Sequence, residues 1–202
     1  MKKVLSIAGS DCSGGAGIQA DLKTFSAHGV YGMSVIVSVV AENTGRVIGI
    51  QDISADMIGK QIDAVFEDIE VDAVKVGMLS TPDCMEEAAK AIHTMGCRAV
   101  IVKGGHAAGN AVDVLFDGKE ICHFDTARID TKNTHGTGCT FFSAVASQLA
   151  RGMGLREAVQ KAKDYVTMAI EHSLDIGKGC GPTHHFWHLY QYGLQEGRDG
   201  GK

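Results

Sequence analysis

The stretch NTHGTGCT, residues 133–140, places two glycines, three threonines and a cysteine directly before the apolar run FFSAVASQLA. The apolar run predicts a buried helix, so the glycines stand at a helix N-terminus. Backbone N–H groups in such a turn, together with the positive end of the helix dipole, favour phosphate or developing negative charge. The spacing differs from GxxxxGK[ST], which excludes a Walker loop. The turn therefore predicts an anion site of another kind.

Cys139 lies inside this turn. A thiol at a helix N-terminus is expected to have a lowered pKa, which favours the thiolate. Such a group is suited to be a nucleophile, a general base or a redox centre. A buried, unreactive thiol is the alternative, and the residues alone leave these readings open.

Two further glycine motifs follow predicted strands. SGGAG, residues 13–17, is followed within one helical turn by Asp21, and KGGH begins with Lys103 at the end of the apolar strand RAVIV. A lysine at that point can meet a phosphate as a point charge. The alternatives are glycines that only allow a helix to pack tightly on a strand, and a solvated lysine at a strand end.

The elements that must position these residues alternate along the chain. Strands are predicted at KVLSIAG, at Ser34–Val40 (SVIVSVV), at DAVKVGM and at RAVIVKGGH, and AVDVLFDGKEICHFD is predicted to be a hairpin. Helices are predicted after SGGAG, around Ile58–Ile69, at TPDCMEEAAKAIHTMG, after NTHGTGCT and around Leu155–Ile170. The alternation predicts an α/β fold, with a mainly parallel sheet covered on both faces and one antiparallel hairpin. AENTG, which contains Glu42, is expected to be a loop beside the other motifs at the carboxyl edge of the sheet.

The 202 residues are predicted to form one domain, residues 1–202, with a frayed tail from about residue 193. A net charge of −5 argues against nucleic-acid binding, which needs a basic face. The apolar runs are too short to span a membrane. The six cysteines contain no C-x-x-C pair, and with no export signal they predict a cytoplasmic protein with free thiols.

In this order, the motifs AGSDCSGGAGIQADLKTFSAHGVYG, KVGML, VIVKGGH, DTKNTHGTGCTFFSA and GKGCGPTHHF resemble the hydroxymethylpyrimidine and hydroxymethylpyrimidine phosphate kinases of thiamine biosynthesis. The resemblance runs from near Met1 to about Phe186. It implies the ribokinase-like three-layer αβα fold. It also implies an ATP- and Mg²⁺-dependent kinase that acts on 4-amino-5-hydroxymethyl-2-methylpyrimidine, on its monophosphate or on both. A homodimer is a further expectation that rests on the resemblance.

The resemblance also assigns roles to residues. The positions that match the family's aminopyrimidine site are Gly9, Ala16, Asp21, Glu42 and Met78. Gly136, Thr137 and Gly138 match the anion hole for the transferred phosphoryl group, and Cys139 matches the catalytic base. The positions that match the nucleotide phosphate region are Lys103, Thr134, Gly136 and Gly138. No metal ligand is assigned.

Two departures from the family pattern bear on activity. Glu42 stands where the family usually has glutamine, and an ionised carboxylate only accepts hydrogen bonds. Two strands with an acidic motif associated with Mg²⁺ and phosphate are absent after residue 82, so the sheet is expected to be smaller than usual. Glu70, Asp72 and Asp83 are candidate substitutes. The alternative function is therefore an impaired relative that binds pyrimidine or phosphate without efficient transfer, and a preference for pyridoxal-type substrates is also left open.

Overall fold

A computed structural model of the protein describes residues 1–77, 99–102, 110–117 and 119–193. A parallel sheet has the strand order β2-β1-β5, with β1 at Lys3–Ala8, β2 at Tyr31–Ile36 and β5 at Ala73–Val76. Helix α1 (Gly17–Ala27) connects β1 to β2, and α2 (Ala55–Asp68) precedes β5. These elements confirm the predicted strands and helices at their places in the sequence.

The side chains of β1 alternate between two hydrophobic clusters, as the period of a strand requires. Leu5 and Ile7 pack with Ile58 of α2 on one face of the sheet. Val4 packs with Phe25 of α1 and with the helix α3 (Thr137–Ala150) on the other face. Helices therefore cover both faces of the parallel sheet, which is the predicted layer arrangement.

The single strand predicted at Ser34–Val40 is wrong. The chain leaves the parallel sheet after β2, and β3 (Ser38–Asn43) pairs antiparallel with β4 (Arg46–Asp52). The β-branched run is compatible with both strands, so its composition does not reveal where the chain changes partner. Glu42 consequently lies on a hairpin strand and not in the predicted loop. At the hairpin turn, Asn43 Oδ1 accepts from the N–H groups of Gly45 and Arg46, at 2.9 and 3.1 Å.

The predicted hairpin after residue 110 is confirmed by β7 (Ala111–Phe116) and β8 (Ile121–Thr126). β6 (Val100–Val102) pairs with β7, so the order in this antiparallel sheet is β6-β7-β8. Leu115 packs against α3 and against α4 (Leu155–Glu171). A short helix α5 (Trp187–Tyr192) follows.

Several predictions lie outside the described residues. These are the helix at TPDCMEEAAKAIHTMG, the segment after residue 82, Met78, Lys103 and the tail beyond residue 193. The single domain over residues 1–202 stays a prediction. Among the described residues, no helix is both long enough and apolar enough to cross a membrane.

Candidate active site

The glycine turn lies at the N-terminus of α3, as predicted. Gly136 has φ +78°, which only glycine adopts without strain, and its carbonyl oxygen accepts from Thr140 N at 2.9 Å. A Cβ at Gly136 would collide with the carbonyl oxygen of Gly15. The turn is therefore packed backbone to backbone against the loop at residues 11–16, which follows β1.

Asp11 holds that loop in shape. Its carboxylate, whose side chain is only 1% exposed, lies 2.7 Å from Ser13 N and Ser13 Oγ, 2.9 Å from Gly15 N and 2.7 Å from Ala16 N. His135 Nε2 lies 2.8 Å from the same carboxylate and links the loop to the turn. Burial alone would raise the pKa of Asp11, but these hydrogen bonds outweigh it and hold the pKa at about 2.

Glu42 lies close to Asp11 and His135. One ligand atom from each of the three side chains lies within 4.8 Å of the others. Burial raises the pKa of Glu42, and the negative charge of Asp11 raises it further. The Cys12 thiol donates to the Glu42 carbonyl oxygen at 3.0 Å and accepts from Glu42 N at 3.3 Å, so it attaches β3 to the loop.

Asp21 is completely buried behind the turn. Its carboxylate accepts from Lys75 Nζ at 2.7 Å, Ser6 Oγ at 2.5 Å and Ser143 Oγ at 2.7 Å. Lys75 is itself buried, so the two charges form an ion pair inside the domain. We did not predict Lys75 as a site residue, although a lysine inside the apolar strand AVKV is the signal that would have identified it.

The lowered pKa predicted for Cys139 is wrong. Burial removes water from the thiolate and raises the pKa of Cys139. The positive charge of Lys75 and the backbone N–H of Gly17 act in the opposite direction without reversing the effect, and the charge of Asp21 adds to it. At neutral pH the group beside the turn is therefore a neutral thiol.

A cavity of about 1040 Å³ lies beside the turn. Its walls include Thr134, Gly136, Gly138 and Cys139, the segment at residues 126–131, and Lys163 and Thr167 of α4. Lys163 is buried and donates to Ala111 O at 2.6 Å and Asp113 Oδ2 at 2.7 Å. Ala16 and His135 also line the cavity, so it borders the loop at residues 11–16 as well as the turn.

Comparison with known proteins identifies the family. The sequence model described as phosphomethylpyrimidine kinase matches residues 11–86 and 80–184. The chain belongs to this family. A hydroxymethylpyrimidine/phosphomethylpyrimidine kinase of Rhizobium meliloti is 40% identical, with 90% of this chain and 96% of the relative covered.

Solved structures give the same result for the fold. The ADP complex of Bacillus subtilis pyridoxal kinase has a TM-score of 0.77 and 34% identity, with 92% of this chain and 98% of that chain covered. The phosphomethylpyrimidine kinase of Clostridium difficile has a TM-score of 0.67 and 33% identity, with coverages of 84% and 100%. The predicted α/β, ribokinase-like fold is confirmed.

The comparisons also bear on the shortened segment. The alignment with the Rhizobium kinase extends over 255 positions, whereas this chain has 202 residues. The two matched parts of the family model meet at residues 80–86. The relative therefore has residues without a counterpart here, in agreement with a deletion near residue 82.

The structure brings together most of the site residues that the family pattern predicts. Gly9 lies beside Ser38, where a Cβ would come within 2.6 Å of Ser38 Oγ, and its carbonyl oxygen accepts from Ile18 N at 3.0 Å. Ala16 contacts the Gly136 turn. We did not predict Asp11 or His135 as site residues.

The prediction that Glu70 or Asp72 replaces the missing acidic motif beside the turn is wrong. Both precede β5, and Asp72 accepts from Lys3 N at 2.8 Å and from Lys2 Nζ at 2.6 Å at the start of β1. They therefore lie at the amino edge of the parallel sheet, whereas the turn lies beyond the carboxyl edge. Asp83 is outside the described residues.

The one described cluster of three potential ligands does not suit Mg²⁺. Asp11, Glu42 and His135 are the only described group of three potential ligands. Mg²⁺ requires oxygen ligands in octahedral geometry. Here one ligand is a ring nitrogen, and the Asp11 oxygens already accept hydrogen bonds from the loop.

Proposed function

We propose that the chain is an ATP-dependent kinase that phosphorylates the hydroxymethyl group of 4-amino-5-hydroxymethyl-2-methylpyrimidine, its monophosphate or both. The observation that carries this proposal is a family match over most of the chain. A large cavity beside the Gly136 turn is in agreement with it. The curated relatives are named as kinases, and no comparison favours the impaired alternative.

The turn provides a place for the transferred phosphoryl group. Phosphoryl transfer requires mainly positioning and neutralisation of charge. The N–H groups of Thr137 and Gly138 lie in the first turn of α3, where the helix dipole favours negative charge. The nucleotide occupies the cavity, and the pyrimidine lies on the side of Gly9, Ala16 and Glu42. In this proposal the acceptor hydroxyl and the γ-phosphate meet beside the turn.

Cys139 is proposed to take the proton of the acceptor hydroxyl. A neutral thiol must first ionise to do so, and burial opposes ionisation. The nearby ammonium of Lys75 stabilises the thiolate, and the ion pair with Asp21 holds that ammonium in position. The roles of Asp21 and Glu42 toward the substrate stay predictions. A carboxylate at Glu42 suits the exocyclic amine of an aminopyrimidine.

The solved relative with ADP supports ATP as the donor. Mg²⁺ is proposed from the kinase activity alone, because the one described cluster of three potential ligands does not suit it. A homodimer and a cytoplasmic location are proposed as well, the second from the thiamine-biosynthetic role.

The test is a coupled assay on the full chain with ATP and Mg²⁺. Hydroxymethylpyrimidine, its monophosphate and pyridoxal are supplied separately, because structural neighbours include pyridoxal kinases. We expect ADP release that depends on a pyrimidine, with the phosphorylated product identified by mass spectrometry. ADP release with pyridoxal alone would reassign the substrate, and no release with any acceptor would contradict the kinase.

The role of Cys139 has its own measurement. Because its pKa is raised above 9.0, the thiolate fraction should increase about tenfold per unit from pH 7 to 9, and kcat should follow. Cys139→Ala should lower kcat about 100-fold and abolish this pH dependence. Cys122→Ala, on β8, is the matched control and should retain wild-type kinetics. A flat wild-type profile would remove the base role and leave the kinase activity in place.

A further inference from the structure

His185 is a buried titratable residue that the proposed mechanism does not use. Only 6% of it is exposed, and its Nε2 lies 3.1 Å from Thr140 Oγ1. Thr140 is fully buried in the first turn of α3, just after the glycine turn. The contact joins segments 45 residues apart, and a buried polar group that loses its partner is costly. The two side chains therefore form a fixed part of the site.

Thr140 connects this contact to Gly136. Its hydroxyl donates to the Gly136 carbonyl oxygen at 2.9 Å, and the same oxygen accepts from Thr140 N at 2.9 Å. The Gly136 carbonyl and the N–H of Thr137 belong to one planar peptide group. Fixing the carbonyl therefore fixes the direction of the first N–H group of α3, which the proposed mechanism places beside the transferred phosphoryl group.

The number of protons gives the direction of each hydrogen bond. The Thr140 hydroxyl has one proton, which it donates to Gly136 O, so its oxygen accepts from His185. Burial lowers the pKa of His185 to about 4, so the ring is neutral at pH 7 and has a single N–H. The hydrogen-bond network assigns that proton to Nε2. Thr183 Oγ1 lies 3.3 Å from the same hydroxyl oxygen.

The segment that carries His185 is held in place at both ends. Tyr165 Oη of α4 donates to the His185 carbonyl oxygen at 2.7 Å. At the other end, His135 N in the glycine turn donates to Gly181 O at 3.1 Å. Threonine hydroxyls often bond the carbonyl four residues earlier in a helix without any further partner. Thr140 differs because a second, anchored segment holds its hydroxyl.

We propose that His185 is a positioning residue for phosphoryl transfer. Its Nε2–H orients the Thr140 hydroxyl, which fixes the Gly136 peptide and with it the N–H groups at the start of α3. This inference rests on the proposed kinase function. Donors that are fixed before the reaction stabilise developing charge most effectively. His185 acts through Thr140 and takes no part in the proton transfer.

Two pairs of variants on the full chain separate the hydrogen bonds from packing. His185→Leu and Thr140→Val remove the polar atom, whereas His185→Gln and Thr140→Ser retain it. We expect the first pair to lower kcat between about 10- and 100-fold, because small displacements of reacting groups have effects of this size. The dissociation constant of hydroxymethylpyrimidine, measured by calorimetry without nucleotide, should not change. The second pair should retain most of the wild-type kcat.

His184→Leu is the matched control. The neighbouring ring is equally buried, with 7% of the residue exposed, but it contacts Trp187 and Tyr190. This variant should retain wild-type kcat. The double variant His185→Leu/Thr140→Val should lose no more kcat than Thr140→Val alone, because both changes break one chain of contacts. A wild-type kcat in Thr140→Val, or losses that multiply in the double variant, would overturn the proposal.

A measurement that needs no activity distinguishes this inference from the kinase function. In ¹H–¹⁵N spectra, the amide shifts of Thr137 and Gly138 should move in His185→Leu and Thr140→Val and return toward wild type in His185→Gln and Thr140→Ser. A wild type that phosphorylates no acceptor would refute the kinase function, and the spectra would then decide the inference alone. If His185→Leu does not fold, the isosteric Thr140→Val decides. Unchanged amide shifts in the folded variants would refute the positioning role.

Discussion

Asp11→Asn is expected to destabilise the fold through the loop at residues 11–16. Asp11 has a pKa of about 2 in the folded protein, below the ordinary value of 3.8, and its side chain is 1% exposed. At about 1.4 kcal/mol per pKa unit, the ionised carboxylate contributes about 2 kcal/mol of stability at pH 7. Asparagine carries no charge and presents an NH₂ group toward the backbone N–H donors. The free energy of unfolding of the variant should therefore be lower by about this amount.

The pH dependence of this loss has a defined sign. Because the pKa of Asp11 is lowered by folding, its stabilisation is complete above pH 3.8 and disappears as the pH falls through about 2. The difference between wild type and Asp11→Asn should therefore shrink from about 2 kcal/mol at pH 7 to about 1 kcal/mol at pH 3.

Urea unfolding at both pH values measures the difference. Asp56→Asn is the control, because Asp56 is an exposed aspartate that pairs with the exposed Lys60 on the surface of α2. It should leave the free energy of unfolding unchanged. Equal stability of wild type and Asp11→Asn at pH 7, or a difference that grows at pH 3, would refute the reasoning. Because the loop supports the Gly136 turn, kcat of Asp11→Asn should also fall.

Three further substitutions test the site. Gly136→Ala should lower kcat by about 100-fold or more, because its Cβ would displace the Gly15 carbonyl and with it the N–H groups of the turn; steady-state kinetics with unchanged kcat would contradict this geometry. Lys75→Met should destabilise the fold by about 3–5 kcal/mol in urea unfolding, because it leaves the Asp21 carboxylate buried without its counter-charge; a neutral result would show that the pair is dispensable. Glu42→Gln should remove a change in pyrimidine KM that the wild type shows as the pH rises above 4.5, because the pKa of Glu42 is raised above that ordinary value; a wild-type KM that does not vary with pH there would count against that role.

Local pattern was sufficient to predict most of the elements and the position of the glycine turn. The apolar run after Gly138 and the β-branched strands are properties of neighbouring residues, and α3 begins at the predicted place. The division of Ser34–Val40 between two sheets was not predictable in this way. It depends on contacts with distant segments, such as the hydrogen bond from Ser10 N to Ser38 O at 2.9 Å.

The electrostatics of the site were predicted less well for the same reason. A helix N-terminus suggested a thiolate at Cys139, but burial by the surrounding segments decides the direction of the pKa shift. The sequence around Asp11 did not indicate its structural role, because its partner His135 is 124 residues away in the chain. Only Lys75 had a local signal, as a charge within an apolar strand.

The contacts that hold the turn explain how a shortened chain can keep the Gly136 turn in place. The described partners of the Gly136 turn lie in the loop at residues 11–16 and in the segment at residues 180–183, with the hairpin attached to that loop through Cys12. Each of these partners lies before residue 78 or after residue 132, so a deletion near residue 82 removes none of them. The pyrimidine side is therefore expected to bind its ligand with little change. Any deficit in turnover should appear as a raised KM for ATP, and equilibrium binding of pyrimidine without nucleotide would separate the two effects.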